Sequence, residues 1–180
     1  MSTYTLQVAG LTRELPVIQV SPEVSIASFV VLGDTEIITA AAPLLAAKLP
    51  EVDMLVTAEA KGIPFVHELS KQLGMSRCVV ARKSVKPYMN EPLITSTTSI
   101  TTQKEQQLVL DENDAALLDG KRIALVDDVI STGESLQALE TLVEKAGGDV
   151  KTKAAILAEG NAADMPGITF LEKLPLFTPQ

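Results

Sequence analysis

The 180-residue chain has one cysteine, one histidine, no run of basic residues and no apolar run long enough to span a bilayer. Each of these shortages removes a class of function. A lone Cys78 can make neither an internal disulfide nor a cysteine-based metal cluster. Inside its apolar run it reads as a small buried hydrophobe rather than a nucleophile. With His67 alone, a two-histidine metal site is excluded. The formal net charge is −8, from 15 Lys and Arg against 23 Asp and Glu. Without clustered cations a phosphate backbone cannot be neutralised, so no nucleic-acid partner is expected. No membrane partner is expected either. The opening Met1-Ser2-Thr3-Tyr4 lacks the charged start and apolar stretch of a signal peptide, and the expected location is the cytoplasm.

What remains is enough chain for one domain with a sizeable core. Tyr4–Ala9, Leu15–Val20 and Ile26–Leu32 are β-rich and read as short antiparallel strands. Asp34 is placed to cap a helix carrying Ile37, Ile38, Ala41, Leu44, Leu45 and Leu49 at helical spacing. Pro43 either kinks that helix or marks a break near Ala42. Met54–Thr57 is a short buried strand, and Glu59-Ala60-Lys61-Gly62 a loop. A helix from Ile63 then turns Ile63, Val66, Leu69 and Leu73 inward and stops at Gly74, and Cys78–Ala81 is the next strand. Strand, helix, strand at this spacing is a βαβ unit and calls for a parallel sheet. From Arg82 to Thr98 the periodicity dissolves into a long loop or loose hairpin, from which Gln107–Leu110 returns as a strand. Asp111–Leu118 is a short helix or turn. Val150–Ala158 and Ile168–Leu171 are the last sheet strands, and Phe170–Phe177 packs as a tail strand. The fold class is therefore α/β, a single domain with a central, mostly parallel sheet flanked by helices on both faces and a small N-terminal hood.

The stretch Arg122 to Ser135 carries the chemistry. Ile123–Val126 are continuously apolar, as in a central parallel strand. Asp127 and Asp128 follow at its carboxyl end, where open α/β sheets bind ligands. Paired carboxylates accept hydrogen bonds from sugar hydroxyls and hold a divalent cation through water. In Ser131-Thr132-Gly133-Glu134-Ser135, small residues let successive backbone N–H groups converge on an anion at a helix N-terminus. Acids and phosphate nest a few residues apart suit a ribose 5-phosphate. The helix behind them presents Leu136, Leu139, Leu142, Val143 and Ala146 on one face.

Val126-Asp127-Asp128-Val129-Ile130-Ser131-Thr132-Gly133 resembles the phosphoribosyl-pyrophosphate motif of the type I phosphoribosyltransferases, and the order of elements along most of the chain is similar to that family's. The resemblance implies a type I phosphoribosyltransferase fold over residues 1–180, with residues 1–33 and the C-terminal tail as a hood and 84–104 as a flexible lid. Glu59-Ala60-Lys61-Gly62 resembles the family's pyrophosphate loop, in which Gly62 admits the diphosphate, Lys61 meets its charge and a non-proline cis peptide is common. Arg82-Lys83 matches the family's Arg-Lys at the pyrophosphate side, supplied in some members by the partner subunit. Lys86 is a further cation there, and Tyr88 a residue to close over the phosphates. A homodimer and Mg²⁺ come with the resemblance, the ion bridging pyrophosphate and ribose oxygens and held through water by Asp127 and Asp128.

The implied reaction is transfer of 5-phosphoribose from 5-phosphoribosyl 1-pyrophosphate to a purine base, with Asp127, Asp128 and Lys61 as the catalytic residues. The pyrophosphate loop favours adenine. Ser99–Gln107 resembles the matching segment of xanthine phosphoribosyltransferases, which makes xanthine the alternative. Hypoxanthine-guanine enzymes carry Asp where this chain has Ser131, which argues against a 6-oxopurine enzyme of that kind. Phe29 reads as core or as hood over the base, and Leu157-Ala158-Glu159 is a second stretch that can face it. Glu134 is an acid beside a phosphate nest, so its N–H rather than its carboxylate is expected to serve. A rival of another class is a non-catalytic regulator that senses 5-phosphoribosyl 1-pyrophosphate.

Overall fold

The computed structural model describes residues 2–98 and 105–179. The chain opens with antiparallel strands β1 (Thr3–Val8), β2 (Leu11–Gln19) and β3 (Ser25–Ala27), followed by helix α1 (Thr35–Ala46). β4 (Met54–Ala58), α2 (Ile63–Gln72) and β5 (Val79–Ala81) form a first βαβ unit. β6 (Leu93–Thr98) and β7 (Glu105–Leu110) pair as an antiparallel hairpin, and α3 (Glu112–Leu118) leads out of it. β8 (Arg122–Ile130), α4 (Glu134–Lys145) and β9 (Asp149–Glu159) form a second βαβ unit. A short 3₁₀ helix, Gly160–Asp164, joins β9 to β10 (Ile168–Leu174), and β11 (Leu176–Phe177) ends the fold.

The central sheet runs β10-β9-β8-β4-β5, and each neighbouring pair in it is parallel. Strand alternation sorts its side chains into two cores. Ala124 and Val126 of β8 face α1 and α2, meeting Ile37, Leu45, Phe65 and Leu69. Ile123 and Leu125 point the other way, to Leu118 of α3 and Leu136, Leu139 and Leu142 of α4. The sheet is thus covered on both faces, as the apolar run of β8 demands. The small sheet β1-β2-β3-β11 is tied to α1 at its cap. Asp34 accepts the Ile37 N–H at 3.1 Å, and Arg13 of β2 donates to the same carboxylate at 2.8 and 3.0 Å.

Several sequence expectations shift in detail. α1 passes through Pro43 without a break: the proline lacks an N–H, but Ala47 still donates to its carbonyl at 3.2 Å. Leu44 lies outside the buried stripe of Ile37, Ile38, Ala41, Ala42 and Leu45 and is exposed. In α2 the buried residues are Phe65, Val66, Leu69 and Ser70, with Ile63 and Leu73 at the edges of the stripe. Ile26–Leu32 alternates as a strand does, Phe29 and Val31 buried, Val30 and Leu32 exposed. Its ladder nevertheless ends at Ala27, because the chain must leave β2 to reach the α1 cap. Cys78 is half-buried just before β5 rather than fully enclosed. The tail is divided at Pro175: β10 belongs to the central sheet, whereas Leu176 and Phe177 pair with β3.

Candidate active site

The site opens where two strands part. β4 pairs with β8 only as far as Val56 beside Leu125, and its last residues follow β5. β8 continues beside β9 to Ile130. Asp127 and Asp128 therefore lie within β8, on the part that has lost its β4 neighbour, rather than beyond the strand's end as the sequence suggests. The first βαβ unit winds away from this point in one direction and the second in the other, which makes it the topological switch point of the sheet. A cleft of about 940 Å³ fills the opening.

Asp127 and Asp128 form its floor. Asp127 Oδ1 accepts the Asp128 N–H at 2.8 Å. Burial, and then the adjacent Asp128 carboxylate, push the Asp127 carboxyl up to about 7, against the pull of Lys61. Asp128 is 2% exposed, and its Oδ2 is buried without a hydrogen-bond partner. A buried acceptor without a donor is the kind of atom a ligand satisfies. Among the described residues no group of three or more His, Cys, Asp and Glu stands together to hold a metal ion. Two carboxylates with one unsatisfied oxygen fit a hydrated Mg²⁺ that takes its remaining ligands from water and substrate oxygens, not a protein cage.

On the β4 side, the loop Glu59–Gly62 closes the cleft. Its Glu59–Ala60 peptide is cis, the geometry the family resemblance suggests. Gly62 is buried against the floor: a Cβ there would lie 2.5 Å from Thr57 Oγ1 and 3.2 Å from Asp127 Oδ1. Glu59 accepts from Arg82 Nε and from the Lys83 N–H at 2.9 Å, and these contacts hold its carboxyl below the usual carboxylate range. Arg82 also donates to the Tyr88 hydroxyl at 2.7 Å, and the Lys86 ammonium to Ser84 at 2.7 Å. Lys61 and Lys83 line the cleft itself.

Beyond β8, residues 131–135 wrap a smaller hollow of about 190 Å³, lined in part by Ser131, Thr132, Gly133 and Ser135. Gly133 adopts φ +82°, which turns the chain into α4 beside the hollow, and the Glu134 N–H donates to Thr132 Oγ1 at 3.4 Å. Glu134 is exposed, lines neither cavity, and sits where an acid favours the helix N-terminus.

On the β9 side the cleft is walled by Phe29, Val30 and Leu174, with Ser131 and Glu159 as polar groups. Phe29 fulfils both of its sequence readings: it is 7% exposed in the core and lines the cleft. Glu159 is buried, and burial raises its carboxyl against a hydrogen bond from the Ser131 side chain.

The structure thus brings Glu59, Ala60, Lys61, Lys83, Asp127, Asp128, Ser131 and Ser135 to one cleft, with Thr132 and Gly133 at the adjoining hollow. Gly62, Arg82, Lys86 and Tyr88 stand behind it as support or at its margin. The lid residues 99–104 lie outside the described residues; of their flanks, Gln106, Gln107 and Leu108 reach the cleft. Thr57 beneath Gly62 and, apart from Phe29, the Ile26–Val30 wall carry no signal in the sequence pattern. Thr57 is an apolar-strand residue whose role depends on the loop folded above it, and the wall is distant in sequence.

The sequence model of the phosphoribosyl transferase domain matches residues 34–169. The chain is 35% identical over 121 residues to the adenine phosphoribosyltransferase of Thermosipho africanus, covering 66% of this chain and 68% of that one. It is 36% identical over 115 residues to the hypoxanthine/guanine phosphoribosyltransferase of Methanothrix soehngenii, covering 64% of this chain and 57% of that longer relative. The crystal structure of adenine phosphoribosyltransferase from Thermoanaerobacter pseudethanolicus superposes with a TM-score of 0.65 at 25% identity, over 79% of this chain and 84% of that one. Relatives of both names at similar identity leave the base to be read from the site. The chain, matched by the domain over most of its length and carrying at its switch point an acid pair between the Glu59–Gly62 loop and the residue 131–135 hollow, belongs to the phosphoribosyltransferase family, on its purine branch.

Proposed function

We propose that the protein transfers 5-phosphoribose from 5-phosphoribosyl 1-pyrophosphate to a ring nitrogen of a purine, adenine first, in purine salvage. The observation that carries this reading is the position of Asp127 and Asp128 between the Glu59–Gly62 loop on one flank and the residue 131–135 hollow on the other. In that order a ribose lies over the acids, its 5-phosphate in the hollow and its pyrophosphate at the loop.

The roles follow from chemistry. Asp128 Oδ2 and the Asp127 carboxylate orient the ribose hydroxyls and favour the positive charge that builds at C1 as its bond to oxygen breaks. Lys61, and Lys83 beside it, receive the charge of the departing pyrophosphate. Arg82 acts through Glu59, holding the loop in place. Ser131, Thr132, Ser135 and the N–H groups of Gly133 and Glu134 fix the 5-phosphate. Mg²⁺, held through water by Asp127 and Asp128, would supply neutralisation of the leaving group. The same reading assigns residues 1–33 and the C-terminal tail to a hood, 84–104 to a lid that keeps water from the oxocarbenium-like state, and a homodimer to the assembly.

Pyrophosphate release with adenine, xanthine, guanine and hypoxanthine, assayed in parallel, tests the proposal. Adenine is expected to give the highest kcat/KM. A xanthine preference would support the alternative drawn from the lid. Calorimetric binding of 5-phosphoribosyl 1-pyrophosphate without release for any base would make the protein a sensor and overturn the catalytic reading.

A further inference from the structure

Thr57 is a fully buried residue of β4, and its Oγ1 has no hydrogen-bond partner among the described residues. Its neighbours on the strand, Leu55 and Val56, are apolar and equally buried. A valine would fill the same space without a hydroxyl to satisfy, so the hydroxyl is a cost to the fold as it stands. Thr57 does not line the cleft. A substrate in the cleft therefore does not reach it directly, and the partner has to be a group of the protein.

Strand pairing says which group. β4 leaves β8 after Val56 and Leu125. Thr57 is thus the first β4 residue on the parted edge, and Asp127 lies on the other edge, just past Leu125. Gly62 covers the gap between them. A Cβ on Gly62 would have Thr57 Oγ1 at 2.5 Å and Asp127 Oδ1 at 3.2 Å as its two nearest atoms. Because residue 62 is glycine, no carbon occupies that point, and the two oxygens flank it. Asp127 Oδ1 accepts one N–H, from Asp128 at 2.8 Å, and a carboxyl oxygen has room for a second donor. The Thr57 hydroxyl is placed to be that donor.

We propose that Thr57 is a positioning residue for the transfer: when 5-phosphoribosyl 1-pyrophosphate spans the Glu59–Gly62 loop and the acid pair, the Thr57 hydroxyl donates to Asp127 Oδ1 and fixes that carboxyl against the ribose. This rests on the phosphoribosyltransferase reading of the cleft and deepens it. Seating of the loop and readiness of the acid pair are joined through a residue that no part of the substrate touches. With the Asp128 N–H and the Thr57 hydroxyl both on Oδ1, the side chain is held in one orientation and Oδ2 is left for the sugar. The bond belongs to the complex alone, so it strengthens binding and orders the acid without adding to the stability of the free chain.

Thr57→Val keeps the shape and removes the hydroxyl, whereas Thr57→Ser keeps the hydroxyl. In calorimetry with 5-phosphoribosyl 1-pyrophosphate and Mg²⁺, Kd is expected to rise about tenfold in Thr57→Val and to stay within about threefold of wild type in Thr57→Ser. The fall in kcat/KM for 5-phosphoribosyl 1-pyrophosphate follows the same order. Without substrate, Thr57→Val is expected to melt at the wild-type temperature or above it, the opposite of what losing a structural hydrogen bond does. An unchanged Kd in Thr57→Val overturns the inference. So does a serine variant no better than the valine one, or a valine variant whose melting temperature falls along with its affinity. In each of these cases purine turnover by wild type leaves the proposed reaction standing. If wild type turns over no purine but the three proteins bind 5-phosphoribosyl 1-pyrophosphate in the expected order, the reaction falls and the assignment of Thr57 holds. A wild type that does not bind it overturns both.

Discussion

Gly62 lies on Asp127. A methyl group on Gly62 would sit 3.2 Å from Asp127 Oδ1 and 2.5 Å from Thr57 Oγ1. Its φ of −74° is open to any residue, so the demand for glycine here is a matter of space and not of backbone conformation. The Glu59–Gly62 loop and the acid pair are thereby in direct contact, and a change in one moves the other.

Gly62→Ala is expected to lift the loop from the acid pair. Thr57 is fully buried and cannot yield far, so the cost falls on the loop, at roughly 1–3 kcal/mol of overpacking. The expected outcome is a fall in kcat/KM of at least about tenfold, since small displacements of positioning groups are costly to rate, with the thermal transition lowered by roughly 2–10 °C. Steady-state kinetics alongside a melting curve check this. A variant with wild-type kcat/KM would show that the loop does not depend on the contact.

Asp127→Asn combined with Asp128→Asn should abolish turnover and leave the fold intact. Neither carboxylate forms an ion pair that holds elements together among the described residues, and Asp128 Oδ2 bonds to nothing within the protein. Circular dichroism should therefore be unchanged while pyrophosphate release disappears. Near-normal rates would remove both acids from the mechanism.

Much of this was legible in the chain. The apolar run Ile123–Val126, the acids after it and the small residues 131–135 predict a sugar-phosphate site from local pattern alone, and the spacing of Met54–Thr57, Ile63–Leu73 and Cys78–Ala81 predicts the parallel sheet. The parts that pattern could not supply are relations between distant segments. That β8 runs on past its acids depends on where β4 ceases to pair. That Glu59 serves Arg82 and Lys83 depends on β4 and β5 lying side by side. Phe29 could be placed both in the core and in the cleft only once the small sheet was set against β10. Leu44 misled because a helical stripe has an edge, and spacing alone does not say on which side of it a residue falls.

Lys61→Ala tests the leaving-group role. Lys61 is exposed at the cleft and close enough to Asp127 to draw its carboxyl down, yet it forms no ion pair among the described residues. Its charge is therefore free for a diphosphate. Loss of a group that meets developing charge costs about 10²–10³ in kcat, and KM for 5-phosphoribosyl 1-pyrophosphate should rise much less. Single-turnover measurements separate the two. A rise confined to KM would assign Lys61 to ground-state binding.

Glu59→Ala should act on the loop and not on the acids. The half-buried Glu59 joins the ends of β4 and β5 through Arg82 Nε and the Lys83 N–H. Its removal leaves a partly exposed guanidinium and an N–H without their protein acceptor. The expected signature is a higher KM for 5-phosphoribosyl 1-pyrophosphate, together with a lower midpoint in urea and an unchanged m-value. An unaltered midpoint would mean that solvent replaces the acceptor at no cost.

Asp127 also makes the stability of the ligand-free protein depend on pH. Its carboxyl titrates at about 7 in the folded chain, against 3.8 as the ordinary value, chiefly because burial disfavours its charge. Between those limits the folded state keeps a proton that the unfolded chain has released. Stability from this group is therefore fully present below about pH 4, and it is lost as pH rises through 7. The steepest loss is about 1.4 kcal/mol per pH unit. Glu159 shifts in the same direction for the same reason, so the two contributions overlap in wild type and only a variant separates them. Asp127→Asn has no proton to lose. It should melt higher than wild type at pH 8, and the gap should narrow towards pH 5. Melting curves of both proteins at pH 5, 6, 7 and 8 measure that gap directly. Parallel profiles would mean that the Asp127 carboxylate is already charged in the folded protein, and Lys61 rather than burial would then set its state.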